Sequence, residues 1–589
     1  MELPLRRYWE LLSQYLYPLR FKMTMLTILI FSTIGLQIFN PLLIRYFIDA
    51  ATEGAGSRAL LMAALLFLGG SLLLQGLSVA ATYVGEDVGW RSTNQLRADL
   101  ARHCLKLDMA FHNEHTPGEM IERIDGDIAD IAIFFAQFVI RICGNLILLL
   151  GIFITLLWVD WRVSAVLFAY TVIALVALHH LRDLVVPHWK AAREANAELF
   201  GFLEEQLAGT EDTRANGAVP YVMRNLFKFN KARLDKEVKG KTMTVALIAV
   251  WVVLYVLGQS VALIAGNILF TAGLITIGTV YLIIHYTDTV FRPLREITME
   301  IQNLQKAAAG IERVEALHRL ESQIRAPAPN EAQSRLADGP MAVNFNGVTF
   351  GYNAAEPVLQ NVSFNLEPGK VLGLLGRTGS GKTTITRLLF RLYDPNTGHI
   401  RLGQNGSAVD IREASLDDLR QRIGMVTQDV QLFQATVRDN LTFFDRSISD
   451  EQILRVIEEL ELSTWYQTLP DGLDTYLQSE GTSLSAGEAQ LLAFTRVFLI
   501  NPGLVILDEA SSRLDLATEQ LIERAIDKLL ANRTGIIVAH RLATVQRADY
   551  IMILEGGRIR EIGNYAKLAT DPTSRFYSLL QTGMEEVLA

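Results

Sequence analysis

The stretch Gly376-Arg377-Thr378-Gly379-Ser380-Gly381-Lys382-Thr383 carries the most specific chemistry in this chain. It follows an apolar run, Val371–Leu375, and opens a helical pattern at Thr384. In that strand–loop–helix setting, G-x-x-x-x-G-K-[ST] cradles nucleotide phosphates. The glycines let successive backbone N–H groups curl around phosphate oxygens, and the helix that follows adds a favourable field. Lys382 reaches the β- and γ-oxygens, and Thr383 is a ligand for Mg²⁺. A second apolar run, Leu504–Leu507, ends in the carboxylates Asp508 and Glu509. Beside a phosphate loop, Asp508 suits the Mg²⁺ shell and Glu509 suits orienting or deprotonating the attacking water.

The elements that hold these residues divide the chain in two. From Met341 onward, short β-rich runs alternate with helices, an α/β pattern. Ahead of it, six apolar stretches at 23–48, 59–84, 133–158, 163–182, 243–269 and 273–293 are each long enough to cross a hydrocarbon core of about 30 Å. This explains why a 589-residue chain is 50% hydrophobic with a mean hydropathy of +0.24. The net charge of −9 is uneven: residues 341–589 hold 31 acids against 23 Lys and Arg, while the first 340 are nearly neutral. Such an acidic balance excludes a basic nucleic-acid footprint. Two cysteines, Cys104 and Cys143, exclude a disulfide-stapled scaffold. The expected organisation is an interfacial amphipathic helix within 1–22, a membrane domain over 23–324, a Pro-rich linker over 325–340, and a nucleotide-binding domain over 341–589.

Basic residues set the orientation. Arg6, Arg7, Arg20 and Lys22 precede the first span, five more follow the second, and eleven lie between Arg182 and Lys241. The alternate loops hold only Arg58 and Arg162. Both termini and the two long loops are therefore expected in the cytoplasm. Those loops are helix-friendly, so the spans should continue as helices beyond the membrane, with breaks at Thr116–Gly118 and near Gly209 and Gly217. His285 and Asp288 in span six and Arg141 in span three are ionisable at membrane depth. They mark either a cavity for polar or charged cargo or an interhelical pair that fixes packing.

Between the two nucleotide motifs stands Leu484-Ser485-Ala486-Gly487-Glu488, which resembles the LSGGQ signature of ATP-binding cassette (ABC) proteins. Tyr352, Gln428, Asp515 and His540 occur in that family's order, and the whole chain is similar to exporter-type half-transporters. The implied fold is an α-helical membrane domain of six transmembrane helices with long cytoplasmic extensions, fused to a C-terminal α/β P-loop ABC ATPase domain. The resemblance implies that Tyr352 stacks on adenine, with Gly376 to Thr384 around the phosphates. Gln428 would join Thr383 and Asp508 at Mg²⁺, and His540 would hold the γ-phosphate and align Glu509. Leu484 to Glu488 would meet ATP bound to a second half-transporter, with Asp515 linking the two sites. The breaks near Pro117 and Gly209–Gly217 would be coupling helices.

Departures from the family pattern carry information. Ala486 stands where a glycine is usual, and Glu488 where glutamine is usual, while this chain's own phosphate-binding half is intact. That combination resembles one member of a heterodimer, set here against a homodimer. The implied activity is ATP-driven export of amphipathic, drug-like or lipid-like molecules across a bacterial plasma membrane. Two alternatives stand beside it: an importer on the same scaffold, with siderophore-like cargo, and an ATP-gated channel or regulator.

Overall fold

The computed structural model describes residues 13–137, 142–324, 336–353, 356–404, 407–428, 430–477, 484–508, 516–539 and 542–582. It forms two compact units: Met1–Leu105 with Thr116–Leu320, and Lys106–His115 with Glu321–Ala589.

The N-terminal unit is all helical. One short turn, Tyr17–Leu19, leads into α1 (Arg20–Thr52), followed by α2 (Ser57–Lys106). After α3 (Met109–Glu114), which belongs to the other unit, come α4 (Pro117–Ile121), α5 (Ile128–Gln137) and α6 (Gly144–Val159). The long helices α7 (Trp161–Ala208) and α9 (Val219–Thr271) flank the short α8 (Thr210–Ala215), and α10 (Ile277–His318) ends the series. The expected segment at 1–22 falls mostly outside the described residues, as does 325–335 of the expected linker. Among the described residues, four helices are long and apolar enough to cross a membrane, and Gly144–Val159 is apolar but shorter. The sixth expected span lies on α10 but is not among them. His285, Asp288 and Arg292 interrupt its apolar character.

Local chemistry sets the helix ends. Asp160 caps α7 by accepting from Arg162 N at 2.8 Å, and Thr276 caps α10 by accepting from Thr279 N at 3.2 Å. Asp49 on α1 adds to that cap, accepting from Gly278 N and from Thr276 Oγ1, both at 2.8 Å. Helix α10 also packs on α5, α6 and α9. On α9, Gly258 makes close packing feasible: a Cβ there would lie 2.9 Å from the Tyr170 ring and 3.0 Å from that of Phe291. Helix α2 continues well past the expected span and stops at Lys106. The reason is Asp108, which turns extended and caps α3 through Phe111 N at 3.2 Å. The break expected at Thr116–Gly118 is the cap of α4: Thr116 Oγ1 accepts from Glu119 N.

The C-terminal unit is built on two sheets. Four strands, β1 (Ala342–Phe350), β2 (Leu359–Leu366), β4 (Thr397–Gly403) and β5 (Val409–Asp410), form an antiparallel sheet in the order β2-β1-β4-β5. The other six are β3 (Val371–Gly376), β6 (Ile423–Val426), β7 (Leu504–Asp508), β8 (Thr534–Val538), β9 (Tyr550–Glu555) and β10 (Arg558–Asn564). Their order is β10-β9-β3-β8-β7-β6, parallel except for the β9–β10 edge. Strands β3 and β8 are buried along their whole length, the mark of a sheet covered on both faces.

Alternate residues of these strands feed different cores. Leu372, Leu374, Leu504 and Ile506 pack with Ile385 and Leu388 of α11 (Lys382–Leu389) and with the antiparallel sheet. Val371, Leu375, Val505 and Leu507 pack with α12 (Val437–Thr442), α13 (Asp450–Glu459), α14 (Ala486–Ile500) and α15 (Leu516–Leu530). The helix after the phosphate loop and the helix after the signature therefore lie on opposite faces of one sheet.

Within the membrane unit, Arg313 of α10 donates from Nε to Asp127 Oδ2 at 2.9 Å and also bonds Asp127 through Nη2. The Asp127 side chain is only 4% exposed. Arg313→Met should lower unfolding free energy by about 2 kcal/mol, because it leaves a buried carboxylate unpaired. Adding Asp127→Asn should recover most of that loss in thermal unfolding of the purified chain.

Candidate functional site

The phosphate loop joins β3 to α11 at the carboxyl edge of the parallel sheet, where ligands bind in open α/β folds. Gly381 has φ +104°, and a Cβ there would lie 2.5 Å from Leu359 Cδ2, so the position requires glycine. Gly381 also caps α11 and supplies no side-chain bond, which leaves the first-turn N–H groups of that helix for an anion. Arg377, Thr378, Gly379 and Thr383 are exposed, whereas Gly376, Ser380, Gly381, Lys382 and Thr384 are buried. Lys382 folds back on the loop, donating from Nζ to Gly376 O at 2.7 Å and to Arg377 O at 3.2 Å. The Ser380 hydroxyl is buried with no hydrogen-bond partner among the described residues. A buried orphan hydroxyl in a glycine-rich loop at a helix start is suited to a phosphate oxygen.

Sheet register brings the other motif residues to the same edge. Leu374 of β3 pairs with Val538, Asp508 of β7 pairs with Val538, and Leu507 pairs with Val426 of β6. Asp508 and exposed Gln428, two residues past Val426, thus leave the neighbouring strands β7 and β6, with β8 between them and the strand that carries the phosphate loop. Their oxygens and the Thr383 hydroxyl make a hard donor set, which fits Mg²⁺. Glu509, Asp515 and His540 lie outside the described residues.

Tyr352 is 41% exposed and stands against α11. Its Oη is 3.2 Å from Thr384 Oγ1 and accepts from Arg387 Nη1 at 3.1 Å. Tyr393 meets its ring edge-on, with centroids 5.2 Å apart. Tyr393 in turn accepts from Asn113 Nδ2 at 2.5 Å, so the captured helix α3 reaches the aromatic neighbour of the site. Asp108 secures the other end of α3 by accepting from Gln323 N at 2.6 Å. Sequence reasoning did not find Asn113 or Tyr393, which are 280 positions apart and share no local pattern.

The signature begins helix α14. Ser485 and Glu488 form a reciprocal capping box. Glu488 Oε2 accepts from Ser485 N at 2.7 Å and from Ser485 Oγ at 2.8 Å. Leu484 is half-buried, Ala486 is exposed and Gly487 is buried. Further along α14, buried Arg496 donates to Asn440 O at 2.6 Å and to Gln431 O at 3.0 Å, with its guanidinium over Phe443. Burial pulls its pKa down to about 10, so it remains charged at neutral pH. It ties the signature helix to the segment after Gln428, a second link that no local motif announces.

Residues 359–512 match the ABC transporter family pattern and residues 23–294 match the ABC transporter transmembrane region. An ATP-dependent lipid A-core flippase of Thiobacillus denitrificans is 30% identical over 515 residues, 85% of this chain and 86% of that protein. A fatty acid ABC transporter ATP-binding/permease protein of Mycobacterium tuberculosis is 28% identical over 514 residues, 87% of this chain and 78% of that protein. The solved structure of a bacterial Atm1-family ABC exporter with ATP bound superposes with a TM-score of 0.77 at 25% identity, covering 97% of this chain and 98% of that one. The chain belongs to the ABC transporter family. Within it, the chain is an exporter half-transporter: a multi-pass membrane protein that binds ATP and couples its hydrolysis to transport.

Gly381→Ala should weaken ATP binding at least about tenfold, since it imposes left-handed strain of about 1–3 kcal/mol and a clash with Leu359. Equilibrium binding of a fluorescent ATP analogue to the purified chain measures this.

Proposed function

We propose that this chain is the catalytically equipped member of an asymmetric pair of half-transporters. The carrying observation is the Ser485–Glu488 capping box. It occupies the signature hydroxyl and sets a carboxylate at the helix start, where a second subunit's γ-phosphate would approach. The two-layer arrangement supports the need for that subunit, because phosphate loop and signature lie on opposite faces of one sheet. Each ATP is then sandwiched between one chain's loop and the other's signature. This chain's loop would meet a competent partner signature, and its own signature would serve the weaker site. A homodimer would carry the altered signature at both sites.

At the competent site, Lys382 and the loop N–H groups neutralise the β- and γ-phosphates, and Ser380 donates to them. Tyr352 supplies a π face to adenine. Glu509 orients and deprotonates water, His540 holds the γ-phosphate, and Asp515 relays between the sites. Thr383, Gln428 and Asp508 would hold Mg²⁺, which neutralises developing charge on the phosphates. Contacts made only in the closed pair shift the population from inward-facing to outward-facing, and hydrolysis removes them. In the same reading, 1–22 is interfacial, 23–324 spans a bacterial plasma membrane, 325–340 links, and 341–589 is the cytoplasmic ATPase domain. The cargo is a small amphipathic, drug-like or lipid-like molecule moved outward. His285 and Asp288 would face its path, with Arg141, which lies outside the described residues.

Expressed and purified alone, the chain should hydrolyse ATP slowly; brisk, cargo-stimulated ATPase in a stable homodimer would sink the asymmetric reading. Ala486→Gly with Glu488→Gln should raise that slow rate at least about tenfold. Glu509→Gln should reduce turnover about 100-fold or more while ATP still closes the dimer, read by spin-label distances. Normal turnover in that variant would remove Glu509 from the mechanism.

A further inference from the structure

Helix α10 carries a polar stripe through the membrane unit. Tyr281, His285, Asp288 and Arg292 recur at spacings of four, three and four, so they share one helix face. The opposite face is buried: Leu282, Ile283, Tyr286, Thr287, Val290 and Leu294 all pack inward. Asp288, by contrast, is exposed. It lies roughly 17 Å along the axis from Ile277 at 1.5 Å per residue, close to the middle of a core about 30 Å thick. A carboxylate at that depth is costly in lipid and is retained where it faces a cavity or a partner.

The surroundings of Asp288 are aromatic. Tyr255 on α9 donates from Oη to Asp288 Oδ1 at 2.9 Å, and Gln259 bonds the same tyrosine. Trp251 lies near-parallel to Tyr255, with centroids 6.1 Å apart. Phe291 meets Tyr255 edge-on at 5.1 Å and Trp251 at 6.0 Å. Among the described residues no lysine or arginine pairs with Asp288. Of the two stripe groups able to carry positive charge, His285 lies one turn before Asp288 and feels its charge, and Arg292 donates instead to Glu296 at 3.1 Å. A pair serving only to fix packing would bury the carboxylate between its helices, whereas Asp288 stays open and its second oxygen is unspent. A negative charge beside stacked π faces, in a medium that punishes unpaired ions, complements one class of ligand.

We propose that Asp288, with Tyr255, Trp251 and Phe291, forms a recognition site for a lipophilic organic cation carried by this transporter. The inference rests on the reading that the α10 stripe faces the cargo path. The cation's apolar body meets the half-buried rings of Tyr255 and Trp251, which the buried Phe291 ring backs, and its charge satisfies Asp288. Once bound, it removes the cost of the intramembrane carboxylate, so selectivity for positive charge follows from the site's own electrostatics.

Tetraphenylphosphonium and tetraphenylborate are nearly isosteric and opposite in charge, which isolates that selectivity. The full-length chain, purified from membranes with any accompanying subunit and placed in lipid nanodiscs, is titrated with each by equilibrium dialysis. The phosphonium should bind saturably and the borate at least about tenfold more weakly. Asp288→Asn should weaken the phosphonium by about tenfold or more, and Asp288→Glu should retain it within about threefold. Equal binding of the two probes, or undiminished phosphonium affinity in Asp288→Asn, overturns the cation site and leaves the cargo-path reading standing. Failure of both probes to bind overturns both. The wild-type comparison decides the question even where a variant does not fold.

Discussion

The constraint on which the ATPase unit depends is the burial of one parallel sheet on both faces. Strand β3 has no solvent side, so its chain can turn only at its end, and it does so through left-handed backbone at Gly379 and Gly381. That turn gathers the start of α11, an orphan Ser380 hydroxyl and Lys382 at the carboxyl edge, where β6 and β7 deliver Gln428 and Asp508. The same two-faced burial sends α11 and α14 to opposite layers. A polyanion site and a signature that cannot share one phosphate are thus consequences of a single packing rule.

The site is held by parts of the chain that carry no motif. Helix α3, captured from the middle of the first half, reaches Tyr393 through Asn113, and Tyr393 braces the Tyr352 ring. Arg496 binds the signature helix to carbonyls at Gln431 and Asn440, just beyond Gln428. Both links connect nucleotide-contacting candidates to segments that a transport cycle must move. The Ser485–Glu488 box works in the opposite sense. It caps the start of α14 and sets a carboxylate beside the first-turn N–H groups.

In the membrane unit, α10 trades apolar character for a polar stripe on one face. The exchange is legible in its composition, since it falls short of the hydrophobicity of the other long helices. Its inward face explains why the helix remains anchored: Tyr286 donates to Ile38 O at 2.7 Å, and Asp49 caps its start. The polar residues of the remaining face bond to neighbouring side chains instead, Asp288 to Tyr255 of α9 and Arg292 to Glu296.

Much of the architecture was legible from residues alone. The phosphate loop, the strand ending at Asp508, the apolar segments and the changed signature are local patterns, and short-range sterics and periodicity dictate them. The end of α2 at Lys106 is set by a single cap, Asp108, within otherwise helix-friendly neighbours. What sequence determined was which residues form the phosphate-loop motif and which segments are apolar, because those depend on neighbours a few positions away. Only the tertiary structure decided that α3 joins the distant ATPase unit, that Asn113 meets Tyr393, and that Asp288 meets Tyr255. Those outcomes depend on which surfaces meet, and contacts between distant positions leave no trace in local spacing.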